Sequence, residues 1–402
     1  MQKSCASQVS DKNLLVLVDT TDIRLDKHLG RITDTEGIGI IDKNQHKSSY
    51  GFFVHPLYVV DEDNGTPYGI ADVKIYNRAF ESSEQTKTEK KSKMYQSPIE
   101  QKESYRWIEP CISSSQSTLS EAKSITYVMD READMWEVYQ RIPQQGIHIV
   151  VRSKTNRTIL NEKGERIKLH DQLSEQQALG SYLLDYKDTN GSKRKTKINV
   201  KAGSCEITPP KHKKGDNVKS MYYVELKSES TNSQGQALHW ILWTDREVTD
   251  MEQAKQIIEI YCKRWNIEVF FKLLKSDGYD IESCQLEKGS SIRKLTLILM
   301  EAALKVQQLK AARSGDTELQ VKDIFNPQEI KCLRAINKKL EGRTEKQKNP
   351  YPEDHLSWAS WVIARLAGWK DFYSKNNPPG NKTFVDGLEK FDFLLIGYSL
   401  HN

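Results

Sequence analysis

Three acidic residues stand where packing alone does not explain a carboxylate. Asp19 follows the apolar run Leu14 to Val18, Asp130 follows Ile125 to Met129, and Glu268 continues the apolar face of a helix-prone stretch. Hard divalent cations such as Mg²⁺ take oxygen ligands, few of them from protein, with phosphate and water completing the shell. Two such ions ~3.5–4 Å apart activate a nucleophile and stabilise a leaving oxygen in phosphodiester cleavage. One strand-end Asp would be shared between the metals, and the other acids would close each site. A lone Asp at a strand end also has a plainer reading, as a cap or turn residue.

The element that must position Glu268 is the stretch Thr249 to Lys275, uninterrupted by Pro or Gly. It is expected to form one long helix, with Thr249 as cap and Glu252 at the capping-box position. Ala254, Ile257, Ile258 and Tyr261 recur at helical spacing and make a packing face. At ~100° per residue, Tyr261, Arg264, Glu268 and Lys275 fall within an arc of roughly 60°. Trp265 and Lys272 flank them. Charges on a face that should be buried are costly unless they meet charged partners. The competing reading is a solvent-facing ladder, Arg264–Glu268–Lys272, at i, i+4 spacing.

Around these positions the chain alternates strand and helix signals. Leu14 to Val18 and Ile125 to Met129 read as strands covered on both faces. Gly51 to Val60 and Gly69 to Tyr76 read as an antiparallel meander turning at Asp61 to Gly65. Residues 82–120 are polar, with a short helix near Ser97 to Trp107. A helix with Met135, Val138, Tyr139 and Ile142 on its face follows Asp130, and His148 to Arg152 is the next strand. Asp19 and Asp130 thus both close buried strands, where open sheets with parallel strands hold ligands. Residues 153–245 are short alternating segments, a β-rich insertion. It carries the densest cations, Lys187, Lys193, Arg194, Lys195, Lys197 and Lys201, then Lys211, His212, Lys213 and Lys214. Such runs are either solvated loops or phosphate contacts. Helices follow: Ser291 to Arg313, with Leu295, Ile298, Leu299, Ala302, Val306 and Leu309 inward; Pro327 to Leu340, capped by Asn326; Leu356 to Leu366, closed by Gly368; and Thr383 to Ile396, with Phe384, Leu388, Phe391 and Leu395 inward.

The 402 residues suffice for two or three domains, and a net charge of +5 is mildly basic, compatible with a polyanionic partner. The six cysteines show neither CxxC spacing nor a paired framework, which fits reduced thiols. No apolar run spans a bilayer, and Met1 to Asn13 lack the apolar core of a signal peptide.

Three motifs now combine: Asp19-Thr20-Thr21-Asp22, then Asp130-Arg131-Glu132-Ala133-Asp134, then Tyr261-x2-Arg264-x3-Glu268-x6-Lys275. Together they resemble the DDE transposases of the insertion-sequence-four family, whose YREK signature is the third motif. The resemblance runs from about Leu14 to the C-terminus, taking in Arg152-Ser153-Lys154, the strand Leu238 to Thr244 and the helix from Trp358 to Trp369. It implies an α/β fold: a ribonuclease-H-like mixed sheet flanked by helices, interrupted by the β-rich insertion, with a C-terminal α-helical region. The implied parts are a catalytic core at 1–152 and 246–315, the insertion at 153–245 and a dimerisation region at 316–402.

The resemblance further implies that Asp19, Asp130 and Glu268 are catalytic and hold two Mg²⁺ ions, with Mn²⁺ as a substitute. Arg152, Tyr261 and Arg264 match positions that hold phosphates at the transposon end, with Lys275 as a further end contact and Lys272 beside it. Trp240 matches an aromatic that stacks on a flipped base, against the plainer reading of core packing for both Trp240 and Trp265. Implied partners are double-stranded DNA (transposon ends and target) and a second copy of the chain, paired through the apolar faces of Leu356 to Leu366 and Thr383 to Ile396. No membrane is involved, and the implied location is the bacterial cytoplasm, at the nucleoid. The implied chemistry is cut-and-paste transposition: end cleavage, hairpin formation and strand transfer. Only Met1 to Asn13 precede the first strand, so the family's N-terminal end-recognition domain is expected to be missing. The alternative function is a non-catalytic inhibitor that dimerises with full-length transposase.

Overall fold

The computed structural model describes residues 1–43, 48–78, 97–161, 163–187, 193–210, 213, 215–231, 237–370 and 377–400. The chain folds as two compact units. One comprises Met1–Val9, Thr20–Ser82 and Asn266–Asn402, and the other Ser10–Asp19 and Ser83–Trp265.

The Ser10–Asp19, Ser83–Trp265 unit is built on a large mixed sheet. Asn13–Val18, Ser124–Met129 and Ile147–Arg152 pair in parallel, in that order. Leu14 to Val18 are fully buried, as an unbroken apolar strand requires. Beyond Ile147–Arg152 the sheet turns antiparallel through Ala237–Thr244, Lys219–Thr231 and Lys193–Ile207, which carries Gly180–Lys187 and Thr158–Leu160. These are the strands expected of the insertion. Helices flank the sheet, among them Glu109–Gln116 and Trp136–Arg141. The segment after Asp130 is not helical at once. A 3-10 turn, Arg131–Ala133, comes first, and Val138, Tyr139 and Ile142 are buried as expected. The stretch Ser97 to Trp107 likewise forms 3-10 turns, Ile99–Gln101 and Glu103–Trp107, rather than an α-helix.

Met251–Lys263 packs on this sheet through Ala254, Ile257, Ile258 and Tyr261. Its cap is Asp250, not Thr249. Asp250 Oδ1 accepts the Gln253 amide at 2.9 Å, and Gln253 Oε1 accepts the Thr249 amide at 2.7 Å. The N-cap therefore sits one residue later than expected, and Gln253 supplies the reach-back in place of Glu252. The expected single helix is two segments, Met251–Lys263 and Trp265–Lys275. Arg264 lies between them, its amide bonded to Tyr261 O three residues back.

In the other unit, Ser48–Asp61 pairs antiparallel with Thr21–Arg24, Gly39–Lys43 and Pro67–Tyr76, which bears out the meander. At Gly69 a Cβ would lie 2.5 Å from Cys5 Cβ, so glycine lets the N-terminal helix Gln2–Ala6 settle on this strand. Gly289–Ala312 buries Ile292, Thr296, Met300, Ala303 and Gln308, while Ile298 is 65% exposed. Val306 and Leu309 are buried as expected, while in the first half of the helix the buried row is rotated to Ile292, Thr296 and Met300. Two polar residues belong to the buried row because they are satisfied there: Thr296 Oγ1 bonds Ile292 O at 2.9 Å and Gln308 Nε2 bonds Pro67 O at 3.2 Å. Pro327–Leu340 has the Asn326 cap and Glu329 box.

Leu356–Leu366 is buried from Leu356 to Ala364. Its apolar faces belong to the core of this unit, which corrects the expectation that they carry subunit association. Asn381–Leu400 buries Phe384, Leu388 and Phe391 and exposes Phe393, Leu394, Ile396 and Leu400. A Cβ at Gly387 would lie 2.3 Å from the Ile363 carbonyl oxygen, so these two helices meet backbone to backbone. No helix among the described residues is long and apolar enough to cross a membrane. The mixed α/β sheet, the flanking helices and the helical C-terminal region agree with the ribonuclease-H-like class.

Candidate active site at the ends of two parallel strands

The register of the first two parallel strands pairs Val18 with Met129. Asp19 and Asp130 are the next residues on each, so their backbones lie one strand spacing apart, ~4.8 Å. A slip of one residue would turn one of them to the other face. Asp130 also performs the plainer job of a strand-end acid: its Oδ1 accepts the Glu132 amide at 2.8 Å and caps the following turn. Its Oδ2 has no hydrogen-bond partner among the described residues. Asp19 faces a cation, with Arg264 Nη1 at 2.7 Å from its Oδ2 and both side chains mostly buried.

Arg264 follows the helix that brings Tyr261 beneath it. Its guanidinium lies 5.8 Å from the centre of the Tyr261 ring. Trp240 meets Tyr261 edge-on at 5.2 Å, and Arg152 lies 5.3 Å from the Trp240 ring. Burial pushes the Tyr261 hydroxyl up, Arg264 and Arg152 oppose it, and Asp130 adds to it. One hydroxyl thus feels both arginines and a strand-end carboxylate. Trp240 is half-buried against Tyr261, whereas Trp265 is 64% exposed, so core packing does not describe Trp265.

Six expected residues therefore gather in one unit: Asp19, Asp130, Arg152, Trp240, Tyr261 and Arg264. Glu268, Lys272 and Lys275 belong to the other. Glu268 is half-buried there, between the buried Ile267 and Phe270. Lys275 Nζ bonds Asp22 Oδ1 at 2.7 Å and lies 3.6 Å from Glu282, while Arg24 Nε bonds Asp22 Oδ2 at 2.7 Å. Burial alone would raise the Asp22 carboxyl, but Lys275 and Arg24 outweigh it and hold it below the usual range. Lys272 pairs with Asp277 at 2.8 Å.

The insertion's cations are largely matched by acids. Lys195 pairs with Asp185, Lys197 with Glu229 and Lys213 with Glu137, which favours the solvated reading of that run. Lys211, His212 and Lys214 lie outside the described residues.

Among the described residues, no group of three His, Cys, Asp or Glu side chains is arranged to hold a metal ion. The donor chemistry nevertheless suits a hard cation: two neighbouring carboxylates, one with an oxygen that no donor takes up.

A family model described as "Transposase DDE domain" matches residues 108–304. That stretch is thus similar to the DDE domain of transposases. The matched stretch contains Asp130, Arg152, Trp240, Tyr261, Arg264 and Glu268, and Asp19 precedes it.

Sequence reasoning gave no role to Asp134 or to Asp22, although both were in view as motif residues. Asp134 is fully buried, bonded to Tyr139 Oη at 2.6 Å and to Arg157 Nε at 2.7 Å. No spacing rule links residues 134 and 157, so the pairing had no local signature.

Proposed function

We propose that this chain is a divalent-metal-dependent transposase of the insertion-sequence-four family, nearest in its motifs to the transposase of transposon Tn-five, acting by cut-and-paste. The observation that carries the reading is the strand-end pair Asp19 and Asp130, held in register beside Arg152, Trp240, Tyr261 and Arg264. Asp19, Asp130 and, through the helix signature, Glu268 are the residues that would hold Mg²⁺ or Mn²⁺. When bound, the ions make water or a 3′-hydroxyl a better nucleophile and stabilise the leaving oxygen.

The chain's own residues bind and orient the DNA. Arg152 and Arg264 offer guanidinium groups, whose fork geometry suits phosphate oxygens. Arg264 also counters the charge of Asp19. Trp240 offers an aromatic ring on whose face a displaced base can stack, worth ~1–3 kcal/mol. Lys275, engaged by Asp22 and Glu282, acts as a positioning cation at least as much as an end contact. The exposed Phe393, Leu394, Ile396 and Leu400 supply an apolar strip for pairing two copies on DNA.

The test is Mg²⁺-dependent cleavage of the element's own end DNA by the purified chain. Activity that disappears in Asp19→Asn, Asp130→Asn and Glu268→Gln, with folding intact, supports the reading. Activity that survives any of the three refutes it.

A further inference from the structure

We infer that Asp134 is a positioning residue for DNA binding: its buried carboxylate fixes the loop Ser153–Thr155 so that Arg152 and Lys154 enter one pocket with Arg131. The inference rests on the transposase reading.

Asp134 closes the motif that begins with Asp130, yet its side chain is fully buried. Both loop amides it accepts come from residues that line the pocket, and its other donors, Tyr139 and Arg157, hold it from behind. Oδ2 takes the backbone amides of Lys154 at 2.6 Å and Thr155 at 3.0 Å, the two residues that follow Ser153. Oδ1 takes Tyr139 Oη and Arg157 Nε, and Arg157 Nη2 also bonds the Asp134 carbonyl at 2.8 Å. Burial opposes the charge, but Arg157, Tyr139 and the Lys154 amide hold the carboxyl below its usual range. A buried acid with this many donors is a rigid fixture.

Two amides turned inward at positions 154 and 155 leave the Lys154 side chain to the pocket. That pocket holds about 170 Å³ and is lined by Arg131, Arg152, Lys154, His170 and His239. Arg131, Arg152 and Lys154 have no ion-pair partner among the described residues, whereas Lys195, Lys197 and Lys213 of the insertion each face an acid. The geometry thus places the acid behind the loop and leaves its cations open in front. A DNA backbone phosphate is the ligand chemistry that matches such a pocket. A purely structural acid would stabilise the fold and leave the number of phosphate contacts alone.

The experiment measures binding of the full chain to a linear DNA duplex across a salt series. It uses the wild type, Asp134→Asn, Arg152→Ala, Lys154→Ala and Asp134→Asn combined with Lys154→Ala. Asparagine keeps the shape but cannot accept both loop amides and Arg157 at once. Asp134→Asn is expected to weaken binding about tenfold and to flatten the salt dependence by the equivalent of roughly one to two phosphate contacts. In the Lys154→Ala background the same change should cost clearly less, as coupling through the loop requires. The double variant Asp134→Asn, Arg157→Gln removes the buried pair together and serves by the same criteria if Asp134→Asn does not fold.

Folded Asp134→Asn with wild-type affinity and salt slope overturns the inference. So does an equal loss in both backgrounds. If Arg152→Ala and Lys154→Ala weaken binding while Asp134→Asn does not, the positioning role fails and the transposase reading stands. If the wild type does not bind DNA even at low salt, both fail.

Discussion

Two clusters of cations, one in each unit, treat their charge differently. In the Ser10–Asp19, Ser83–Trp265 unit, Arg152 lies over the Trp240 ring and Arg264 beside the Tyr261 ring, and Asp19 is the acid bonded to Arg264. In the other unit, Lys275 and Arg24 share Asp22, and Glu282 bonds the Arg24 amide and approaches Lys275. The second cluster is balanced, two cations to two acids. The first rests its cations against aromatic rings, which attract a cation without cancelling its charge. A phosphate arriving at the first cluster meets Arg152, which no acid pairs among the described residues, and at the second it competes with carboxylates already in place. A shared sequence signature thus places its cations in two different charge settings.

The largest expected effect lies at the acids. Asp19→Asn, Asp130→Asn or Glu268→Gln should each lower Mg²⁺-dependent cleavage by roughly 10³-fold or more, as for members of a catalytic unit. Melting without metal then separates the two strand-end acids. Asp130→Asn should be neutral or mildly stabilising, because it relieves repulsion between neighbours. Asp19→Asn should cost about 1.5–3 kcal/mol, because it strips a largely buried Arg264 of a charged hydrogen bond. Equal melting of the two variants would contradict this account of Arg264.

Next comes the contrast between the clusters. Arg152→Ala should weaken duplex binding about tenfold to a hundredfold, the worth of one charged hydrogen bond, and lower the salt slope by ~0.9. Lys275→Ala should leave that slope close to wild type and cost ~0.2–1 kcal/mol in stability, as for a partly exposed pair. A salt slope that falls equally in both variants would erase the distinction drawn here. Trp240→Ala should reduce binding of DNA with an unpaired base at its end by ~1–3 kcal/mol, and affect a fully paired duplex less. Fluorescence titration with the two DNAs reads the difference directly.

The smallest effect is on acid stability. The Asp22 and Asp134 carboxyls are both held below their usual range. A depressed folded value means that their contribution is complete above the unfolded value, ~3.9 for Asp, and is lost as pH falls through the folded one. Melting temperature followed downward from about pH 5 should fall in the wild type and fall less steeply in Asp22→Asn. An unchanged acid limb in that variant would show that the Lys275 pairing adds nothing in solution.

Much of this arrangement was legible because it is local. Leu14 to Val18 and Ile125 to Met129 announce buried strands by composition, and each ends on its acid. The insertion's strands were legible from alternation and turn residues. What stayed hidden depends on rotation or on distant partners. Thr249 and Asp250 are both good caps, and only the bond to the Gln253 amide decides between them. Thr296 and Gln308 look polar in sequence, yet are buried because carbonyls receive them. The Trp358 helix looked like an interface because it is apolar; apolarity does not say whether the same chain or another covers it. Arg264 was readable as a face-breaking cation, but its bond to Asp19 joins residues far apart in the chain.

The two close glycines described above differ in how much room for change they leave. Gly69 faces Cys5, whose Cβ and Sγ a glycine at 5 would remove, leaving the Cys5 Cα at 2.9 Å to give way by a small shift of the short N-terminal helix. Gly387 faces the main-chain oxygen of Ile363, which every amino acid carries. No substitution at 363 can make space there. In a library of random variants, position 69 should accept alanine only together with glycine at position 5, while position 387 should return glycine alone. Drift of the sequence over time would leave the same trace, a negotiable pair at one end of the chain and a frozen single residue near the other.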